Sequence, residues 1–309
     1  MAFSIVSRYL KRPLRLFICM LLTTLLPLGF QAKAREVTDD LGRRVIIPDR
    51  PKRVVSLAPS ITEIIFSIHR EASLVGVTQF SDFPPEAKSL PSVGSYVNLD
   101  LERIVALNPD LCLATKDGNP REIIKRLASL NIPVYVLDPR DLEAVMDSLL
   151  KIGDLLDAHR EAAVIVEKMR DRIRRVTSRI ATAAHRPTVF FQIGITPIIS
   201  VGTSTYIDKL IRLAGGENVA EGPTAYPQFS EEQVVALAPE VLIITSMARG
   251  GRFEQVKRRW EKWAHLPAVK NDRILVVDSN LFDRPSPRIV DALETLAAKI
   301  HPEVFVETP

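Results

Sequence analysis

The chain has 309 residues, enough for two domains that each bury a core, and its 46% hydrophobic and 25% charged content is typical of a globular protein. The sequence pI near 9.1 would favour an acidic partner, but residues 1–34 hold five basic residues and no acidic one. Without that segment the 41 basic residues fall to 36, against 37 acidic residues, so the composition excludes a charge-based argument for a nucleic-acid partner.

Residues 1–34 are predicted to be a signal peptide. A basic start is followed by an apolar run over residues 16–30, and Ala32 and Ala34 have the small side chains of a cleavage site. The run is short for a transmembrane span, and a proline and a glycine interrupt it; an uncleaved membrane anchor is the alternative. We therefore expect export to the periplasm of a Gram-negative bacterium, with cleavage near Ala34.

Cysteine usage fits an exported protein with a real core. Cys19 lies within the leader and follows Ile18, which is not the small residue that a lipoprotein cleavage site requires. Cys112 is the only cysteine beyond the leader, so an internal disulfide is excluded. Because Cys112 falls in an apolar, strand-like run, we expect a buried and inert thiol.

Residues 35–157 predict an N-terminal α/β lobe. A continuous apolar strand at 53–57 is followed by Ser60 and Glu63, whose spacing is that of a capping box, so a helix is predicted to begin there. Strands alternating with helices indicate a parallel sheet built from βαβ units. The remaining predicted strands are 74–77, 110–114 and 134–137, and the remaining predicted helices are 101–107, 121–130 and 142–155.

Residues 158–185 predict a single linking helix, and residues 186–309 a C-terminal α/β lobe. Apolar residues recur at steps of three and four from Ala162 to Ile180, and no glycine or proline interrupts them before Pro187. The fold class is therefore α/β, with two Rossmann-like lobes of mainly parallel sheets, one long helix joining them, and a ligand cleft between them. The C-terminal strands are predicted at 188–193, 241–245 and 274–278, and the helices at 206–215, 230–237, 253–263 and 286–300.

The two lobes are predicted to be approximate copies of each other. The stretch LERIVALNPDLCLA (101–114) recurs 130 residues later as EEQVVALAPEVLII (231–244). Each stretch is a helix that leads into a buried strand through a Pro-acid turn. Asp100 and Ser230, also 130 residues apart, are the predicted N-caps. Two copies held side by side create a cleft in which equivalent loops face each other.

The repeat pairs Glu102 with Glu232 and Tyr96 with Tyr226. The glutamates stabilise the first helical turn, or they form two matched negative charges for a two-fold symmetric basic partner. The tyrosines pack their own loops, or they form aromatic walls of a ligand cleft.

Motifs of catalysis are missing from the sequence. It has no Walker A motif, no nucleophile elbow and no Cys-x-x-Cys pair, and its five histidines lack metal-ligand spacing. An exported two-lobed protein of this kind is expected to bind a ligand and not to be an enzyme.

Six segments carry a resemblance to a known family: RVVSLAPSITEIIF, LVGVTQFSDFPPEAKSLPSVGSY, LERIVALNPDLCLA, GGENVA, SEEQVVALAPEVLII and FDRPSPRIVDAL. In this order, over about residues 52–300, the chain resembles the helix-linked periplasmic binding proteins of ABC importers, and most of all their cobalamin-binding branch. The resemblance implies a monomer that captures a corrinoid, either cobalamin or cobinamide, without a cofactor or metal site of its own. It also implies delivery to an inner-membrane ABC permease dimer with its ATPase subunits, and no nucleic-acid partner.

The resemblance also implies roles for individual residues. Glu102 and Glu232 fall on the glutamates that dock on the permease. Relatives carry tryptophans where this chain has Tyr96 and Tyr226, so the cleft is expected to be less aromatic, and a corrinoid precursor or another macrocycle stays open as the cargo. The implied ligand-binding residues are Phe80, Tyr96, Thr115, Ile199, Tyr226, Asn280, Phe282, Asp283 and Arg284.

Three alternatives remain at this stage. The cargo could be haem, with Tyr96 as an axial iron ligand. It could be a ferric siderophore, held by cations such as Lys116, Arg249 and Arg252. The third alternative is an enzyme on a similar two-lobed frame, either a hydrolase or a nitrogenase-like cofactor protein.

Overall fold

The computed structural model describes residues 34–245 and 252–305, and of residues 252–254 it describes the backbone alone. The predicted signal peptide up to residue 33 and the candidate siderophore ligand Arg249 lie outside the described residues. From Arg35 onward, the described residues cluster into one compact unit.

The first half of the chain forms an α/β lobe around a four-stranded sheet. Its elements are β1 (Ala34–Thr38), β2 (Arg44–Pro48), β3 (Val54–Ser56), α1 (Pro59–Ser67), β4 (Leu74–Gly76), α2 (Leu101–Ala106), β5 (Leu111–Thr115), α3 (Arg121–Ser129), β6 (Val134–Leu137) and α4 (Leu142–Leu155). Strands β4, β3, β5 and β6 lie in that order, and all their pairings are parallel. Every residue of β3 and β6 is buried, as expected for strands that helices cover on both faces. Strands β1 and β2 form a separate two-stranded sheet.

The second half forms a second α/β lobe after a long helix. Its elements are α5 (His159–Ile180), β7 (Thr188–Gln192), β8 (Ile198–Ile199), α6 (Tyr206–Leu213), β9 (Glu217–Asn218), β10 (Gln228–Phe229), α7 (Glu231–Leu237), β11 (Val241–Ile244), α8 (Arg252–Glu261), α9 (Pro267–Lys270), β12 (Ile274–Val276), α10 (Ser279–Phe282), α11 (Ile289–Ile300) and α12 (Pro302–Phe305). Strands β9, β7, β11 and β12 form a parallel sheet in that order, while β8 and β10 pair separately and antiparallel.

The two sheets have the same strand order. In each four-stranded sheet, the strand that comes first in the chain lies second in the sheet. It is flanked on one side by the next strand of the same sheet and on the other by the strand after the repeated helix. The orders β4-β3-β5-β6 and β9-β7-β11-β12 therefore correspond strand for strand. This confirms the predicted two-lobed α/β fold with parallel sheets.

Helix α5 packs on both lobes. Its buried residues lie at helical spacing from Ala162 to Ile180 and contact α4 of the first lobe and α11 of the second. Arg172, beside the buried face of α5, pairs with Asp291 and Glu294 of α11, at 2.5 and 2.6 Å. One hydrophobic cluster runs from the first lobe through α5 into the second, so the lobes share a core. At 22 residues, α5 is about 33 Å long.

Helix α5 is shorter than the predicted span of 158–185, because the chain turns after Ile180. Among the described residues, no helix is both long and apolar enough to cross a membrane.

Two of the three predicted helix caps are confirmed. Asp100 accepts a hydrogen bond from the Arg103 backbone N–H, and Ser230 accepts one from that of Gln233. The predicted capping box of Ser60 and Glu63 is wrong. Helix α1 begins at Pro59 without a side-chain cap, because Glu63 points instead towards the second lobe.

Cys112 lies in the middle of β5 and is fully buried. Burial, with a smaller effect of Asp110, raises the pKa of its thiol to about 12. The prediction of a buried thiol is confirmed, and the raised pKa favours the unreactive protonated form.

Candidate functional site

A cleft of about 530 Å³ lies between the two lobes, and each lobe contributes twelve of the residues that line it. Several lining segments lie at the carboxyl ends of strands: Ala58–Ser60 after β3, Thr115 at the end of β5 with Asp117 and Gly118 after it, and Ile193 after β7. The carboxyl ends of parallel strands are where α/β folds bind ligands, because the loops there are free to vary. The cleft predicted from the sequence repeat is therefore present in the structure.

The first lobe supplies one aromatic wall, from Phe80 and Tyr96. Their rings meet edge to face, with centroids 6.2 Å apart. The buried Asn119 holds the Tyr96 loop in place: its amide donates to the carbonyls of Tyr96 (2.9 Å) and Leu57 (2.8 Å). Gly118 leaves room for this wall, because a Cβ there would lie 2.6 Å from the Thr115 hydroxyl oxygen.

The second lobe supplies the opposite wall, from Ile199, Tyr206 and Tyr226. Ile199 lies in β8 and pairs with Gln228 of β10, so the short ladder anchors the segment that carries Tyr226. Tyr226 is 42% exposed in the open cleft. Tyr206 was missed by the sequence analysis, which assigned it only to a helix. The sequence feature that could have identified Tyr206 is its position directly after the Thr205 N-cap, at the start of α6 that faces the cleft.

The three cleft tyrosines stay protonated. Burial is the main cause that raises the pKa of each, and the negative charge of Asp283 raises all three further. For Tyr206 the pKa is raised well above its usual value. The rings therefore offer apolar faces together with neutral hydroxyl groups, which suits stacking combined with hydrogen bonding.

The polar end of the cleft contains Asn280 and Asp283, as predicted. Burial raises the pKa of Asp283 to about 7, against the opposing effects of the Thr245 hydroxyl and Arg284. Its only close hydrogen-bond partner in the described chain is that hydroxyl, at 3.3 and 3.4 Å from the two carboxylate oxygens. A carboxylate with so few partners is available to accept hydrogen bonds from a ligand.

Two residues predicted to bind ligand are placed differently. Phe282 is 1% exposed, packs near Phe191 at 6.0 Å between ring centroids, and does not line the cleft. It points inwards because α10 turns its apolar side to the core. Arg284 does line the cleft, but its guanidinium is bound by Glu63 and Asp82 of the first lobe.

The charged rim of the first lobe is largely paired. Lys116 and Arg140 both bind Asp138, each at 2.8 Å. The candidate siderophore ligand Lys116 is therefore already neutralised by a partner. The exposed Asp117 lines the cleft beside them, and partial burial together with Asp138 raises its pKa.

Glu102 and Glu232 occupy equivalent places in the two lobes. Each is exposed in the first turn of a capped helix, α2 or α7. In a parallel α/β lobe, helices begin at the edge of the sheet where strands end. Both carboxylates therefore belong to the edges that also carry the cleft. Ser230 and the helix N-terminus lower the pKa of Glu232, which keeps it charged.

The described residues contain no cluster of three or more histidine, cysteine, aspartate or glutamate side chains that could hold a metal ion.

Comparisons with known proteins agree with this architecture. Residues 54–281 match the family described as "Periplasmic binding protein". The chain is 31% identical over 252 residues to a vitamin B12-binding protein of Photorhabdus laumondii subsp. laumondii, a match that covers 81% of this chain and 88% of that protein.

Two solved structures are similar in both fold and sequence. The periplasmic vitamin B12 binding protein of Vibrio cholerae superimposes with a TM-score of 0.74 at 26% identity, covering 84% of this chain and all of that one. A periplasmic haem binding protein from Pseudomonas aeruginosa superimposes with a TM-score of 0.75 at 31% identity, covering 82% of this chain and 93% of that one.

Proposed function

Because this chain belongs to the periplasmic binding protein family, we propose that it captures a corrinoid in the periplasm and delivers it to an inner-membrane ABC importer. The cargo is cobalamin or cobinamide, and the protein acts as a monomer exported by a signal peptide that is cleaved near Ala34. The relatives named as vitamin B12-binding proteins support this choice.

The observation that carries the proposal is the chemistry of the cleft. A corrinoid has a large flat apolar macrocycle and a rim of amide side chains. Phe80 and Tyr96 on one side, and Tyr206 and Tyr226 on the other, offer aromatic surface to the macrocycle. Asp283 offers a hydrogen-bond acceptor to the amide N–H groups of the rim. The oxygen of Asn280 accepts from Arg284 at 2.6 Å, so Asn280 offers its amide N–H groups to the carbonyls of the rim.

The protein's role in this proposal is binding and transfer, without catalysis, a cofactor or a nucleic-acid partner. The exposed carboxylates of Glu102 and Glu232, one per lobe, dock on basic residues of the permease dimer. Two equivalent charges on two equivalent helices match the two-fold symmetry of such a dimer. Docking is therefore electrostatic and is spatially separate from contact with the cargo.

Haem is the second candidate, favoured by Tyr96 in the cleft and by the similar haem binding protein from Pseudomonas aeruginosa. Ferric haem is ligated by a tyrosine in its deprotonated form. Burial and the charge of Asp283 raise the pKa of Tyr96, which works against that form. A bound ferric ion would itself lower that pKa, so the choice between haem and a corrinoid rests on the titration described next.

A titration with four ligands tests the proposal. The protein beginning at Arg35 is titrated with cyanocobalamin, dicyanocobinamide, haemin and a ferric hydroxamate, and absorbance and heat are recorded. We expect saturable heat with one or both corrinoids. A Soret shift with haemin that disappears in Tyr96→Phe, without corrinoid binding, would establish haem as the cargo and overturn the proposal. Binding of the ferric hydroxamate alone would overturn it in favour of a siderophore.

A further inference from the structure

Glu63, Arg284, Ser286 and Arg288 form a buried polar cluster that joins the two lobes at one end of the cleft; we call it the interlobe pin. Glu63 belongs to α1 in the first lobe, and the other three residues follow α10 in the second. The side chains of Glu63 and Arg284 are 2% and 8% exposed, so their ion pair is shielded from water and salt.

Arg284 binds the first lobe at three points. One guanidinium nitrogen, Nη1, donates to Glu63 Oε1 at 2.9 Å. The other, Nη2, donates to Asp82 Oδ1 at 2.8 Å and to the Phe80 carbonyl oxygen at 2.9 Å. A planar guanidinium fixes the directions of its donors, so these bonds set both the distance and the orientation of the lobes at this point.

Glu63 is held by the second lobe in turn. Besides Arg284, it accepts a hydrogen bond of 2.6 Å from the Ser286 hydroxyl and lies 3.5 Å from Arg288 Nη1. The guanidinium of Arg288 also lies over the ring of Phe83, at 3.8 Å from its centroid. Each half of the contact therefore supplies both charge and hydrogen-bonding groups.

The pin also positions an aromatic residue of the cleft. The Phe80 carbonyl is bound by Arg284, and the loop that carries it is supported from inside by a chain of buried hydroxyls. Thr62 donates to Ser56 at 2.8 Å, and its hydroxyl oxygen lies 3.0 Å from that of Ser81. Phe80 is thus fixed to its own lobe by Ser81 and to the other lobe by Arg284.

We infer that the interlobe pin sets the width of the cleft and the position of Phe80, and that Arg284 is a positioning residue that acts on the cargo through Phe80. Helix α5 is then one attachment between the lobes and the pin is a second. Two attachments hold the cleft open at a fixed width before cargo arrives. The effect on cargo rests on the proposed function, whereas the effect on cleft width does not.

A distance measurement without cargo tests the pin. Cysteines replace the exposed Ser129 in the first lobe and the exposed Lys262 in the second, in the protein beginning at Arg35, and both carry spin labels. Cys112 does not react, because it is buried and its thiol pKa is about 12. We expect a narrow distance distribution in the parent protein and a broader one in Glu63→Gln/Arg284→Met, which removes both charges of the buried Glu63–Arg284 pair together.

Arg212→Met serves as the matched control, since Arg212 pairs with Asp208 and Glu221 inside the second lobe only. It should leave the distance distribution unchanged. If the double variant does not fold, Arg284→Lys provides the test. A lysine keeps a positive charge for Glu63 but loses the several fixed donors of the guanidinium. We therefore expect a distance distribution of intermediate width. A distribution as narrow as that of the parent protein, in whichever of these variants folds, overturns the inference.

The cargo provides a second readout. Affinity for the corrinoid that binds should fall by roughly tenfold in the double variant, because a loosened cleft must be ordered on binding. If the double variant has a broadened distance distribution but unchanged affinity for the corrinoid, the pin affects only the width of the cleft. That result would overturn the role proposed for Phe80. If no corrinoid binds the parent protein, the proposed cargo fails while the distance result still decides the pin.

Discussion

The two lobes are most alike at the edge of each sheet that lies away from the cleft. Asn108 and Ala238, 130 residues apart, both have a φ of 46° at the end of the repeated helix. The acid that follows binds the start of a strand in both lobes. Asp110 accepts from the backbone N–H groups of Lys52 and Arg53 at 2.8 and 3.0 Å, and Glu240 accepts from that of Thr188 at 2.8 Å.

The lobes differ most where they face each other. The first lobe lines the cleft with ion-paired residues such as Asp138 and Arg140, and the second with Ile193, Ile199 and Tyr206. The shared residues therefore build the frame, where both lobes need the same turn. The differing residues line the cleft, where we expect each lobe to contact a different part of the cargo. Tyr96 and Tyr226 are the exception, because they are repeated and also line the cleft.

Replacing the repeated tyrosines tests that exception and is expected to have the largest effect. Tyr96→Ala should weaken binding of the cargo by about 2 kcal/mol, or roughly 30-fold, because buried aromatic side chains dominate ligand contacts. Tyr226→Ala should cost less, since Tyr226 is 42% exposed. Isothermal titration measures both, with the phenylalanine variants as controls that keep the ring. If all four variants bind the cargo with the affinity of the parent protein, the cargo does not stack on these tyrosines.

Replacing the acids of the repeated turns, Asp110 and Glu240, should lower the stability of the protein without changing its affinity for the cargo. Asp110→Ala and Glu240→Ala each leave backbone N–H groups without their carboxylate partner, which costs about 2 kcal/mol of the free energy of unfolding. Urea unfolding measures this, with the exposed Glu86→Ala as the control. If only one of the two variants loses stability, the two turns have different roles despite their common geometry.

Reversing the docking charges should weaken the permease complex equally from either lobe. Glu102→Arg and Glu232→Arg are each expected to lower affinity for the permease by about tenfold, with the loss greatest at low salt. Glu122→Arg is the matched control, because Glu122 is also an exposed acid in a first helical turn, that of α3. Surface plasmon resonance on the permease in lipid nanodiscs measures all three. A loss in the control as large as in the two test variants would contradict specific docking.

The smallest predicted effect is a pH dependence of the free energy of unfolding that originates in the second lobe alone. Burial raises the pKa of Asp283 in the second lobe from 3.8 to about 7, so the folded state holds this proton more tightly than the unfolded chain does. The free energy of unfolding should therefore fall as pH rises, by about 1 kcal/mol between pH 6 and pH 8. Asp283→Asn should remove that part of the slope, as measured by urea unfolding across this range. A variant with the full slope of the parent protein would assign the titration to other groups.

Local patterns were enough to predict the frame. Helix α4 and strand β6 begin and end where the sequence predicts, and both repeated helices have their predicted caps. These features depend on neighbours a few residues away, such as an N-cap and the backbone N–H three residues later. Most of the cleft positions also followed, because the resemblance and the repeat marked the loops at the carboxyl ends of the strands.

Two errors involve residues whose partners are distant in sequence. Glu63 has the spacing of a capping box, but its partner is Arg284, 221 residues away. Phe282 is among the residues that the resemblance implies bind ligand, yet a short helix turns it into the core. In both cases a residue distant in sequence determined where the side chain lies. The local sequence pattern gives no information about such a residue.

The shared hydrophobic core has a consequence for how the molecule unfolds. Val54 of the first lobe, Val166 of α5 and Val189 of the second belong to one continuous cluster. Cutting the chain between the lobes would expose apolar surface on both fragments, so neither is expected to be stable when produced alone. Although the strand topology divides the protein into two similar lobes, we expect it to unfold as a single cooperative unit.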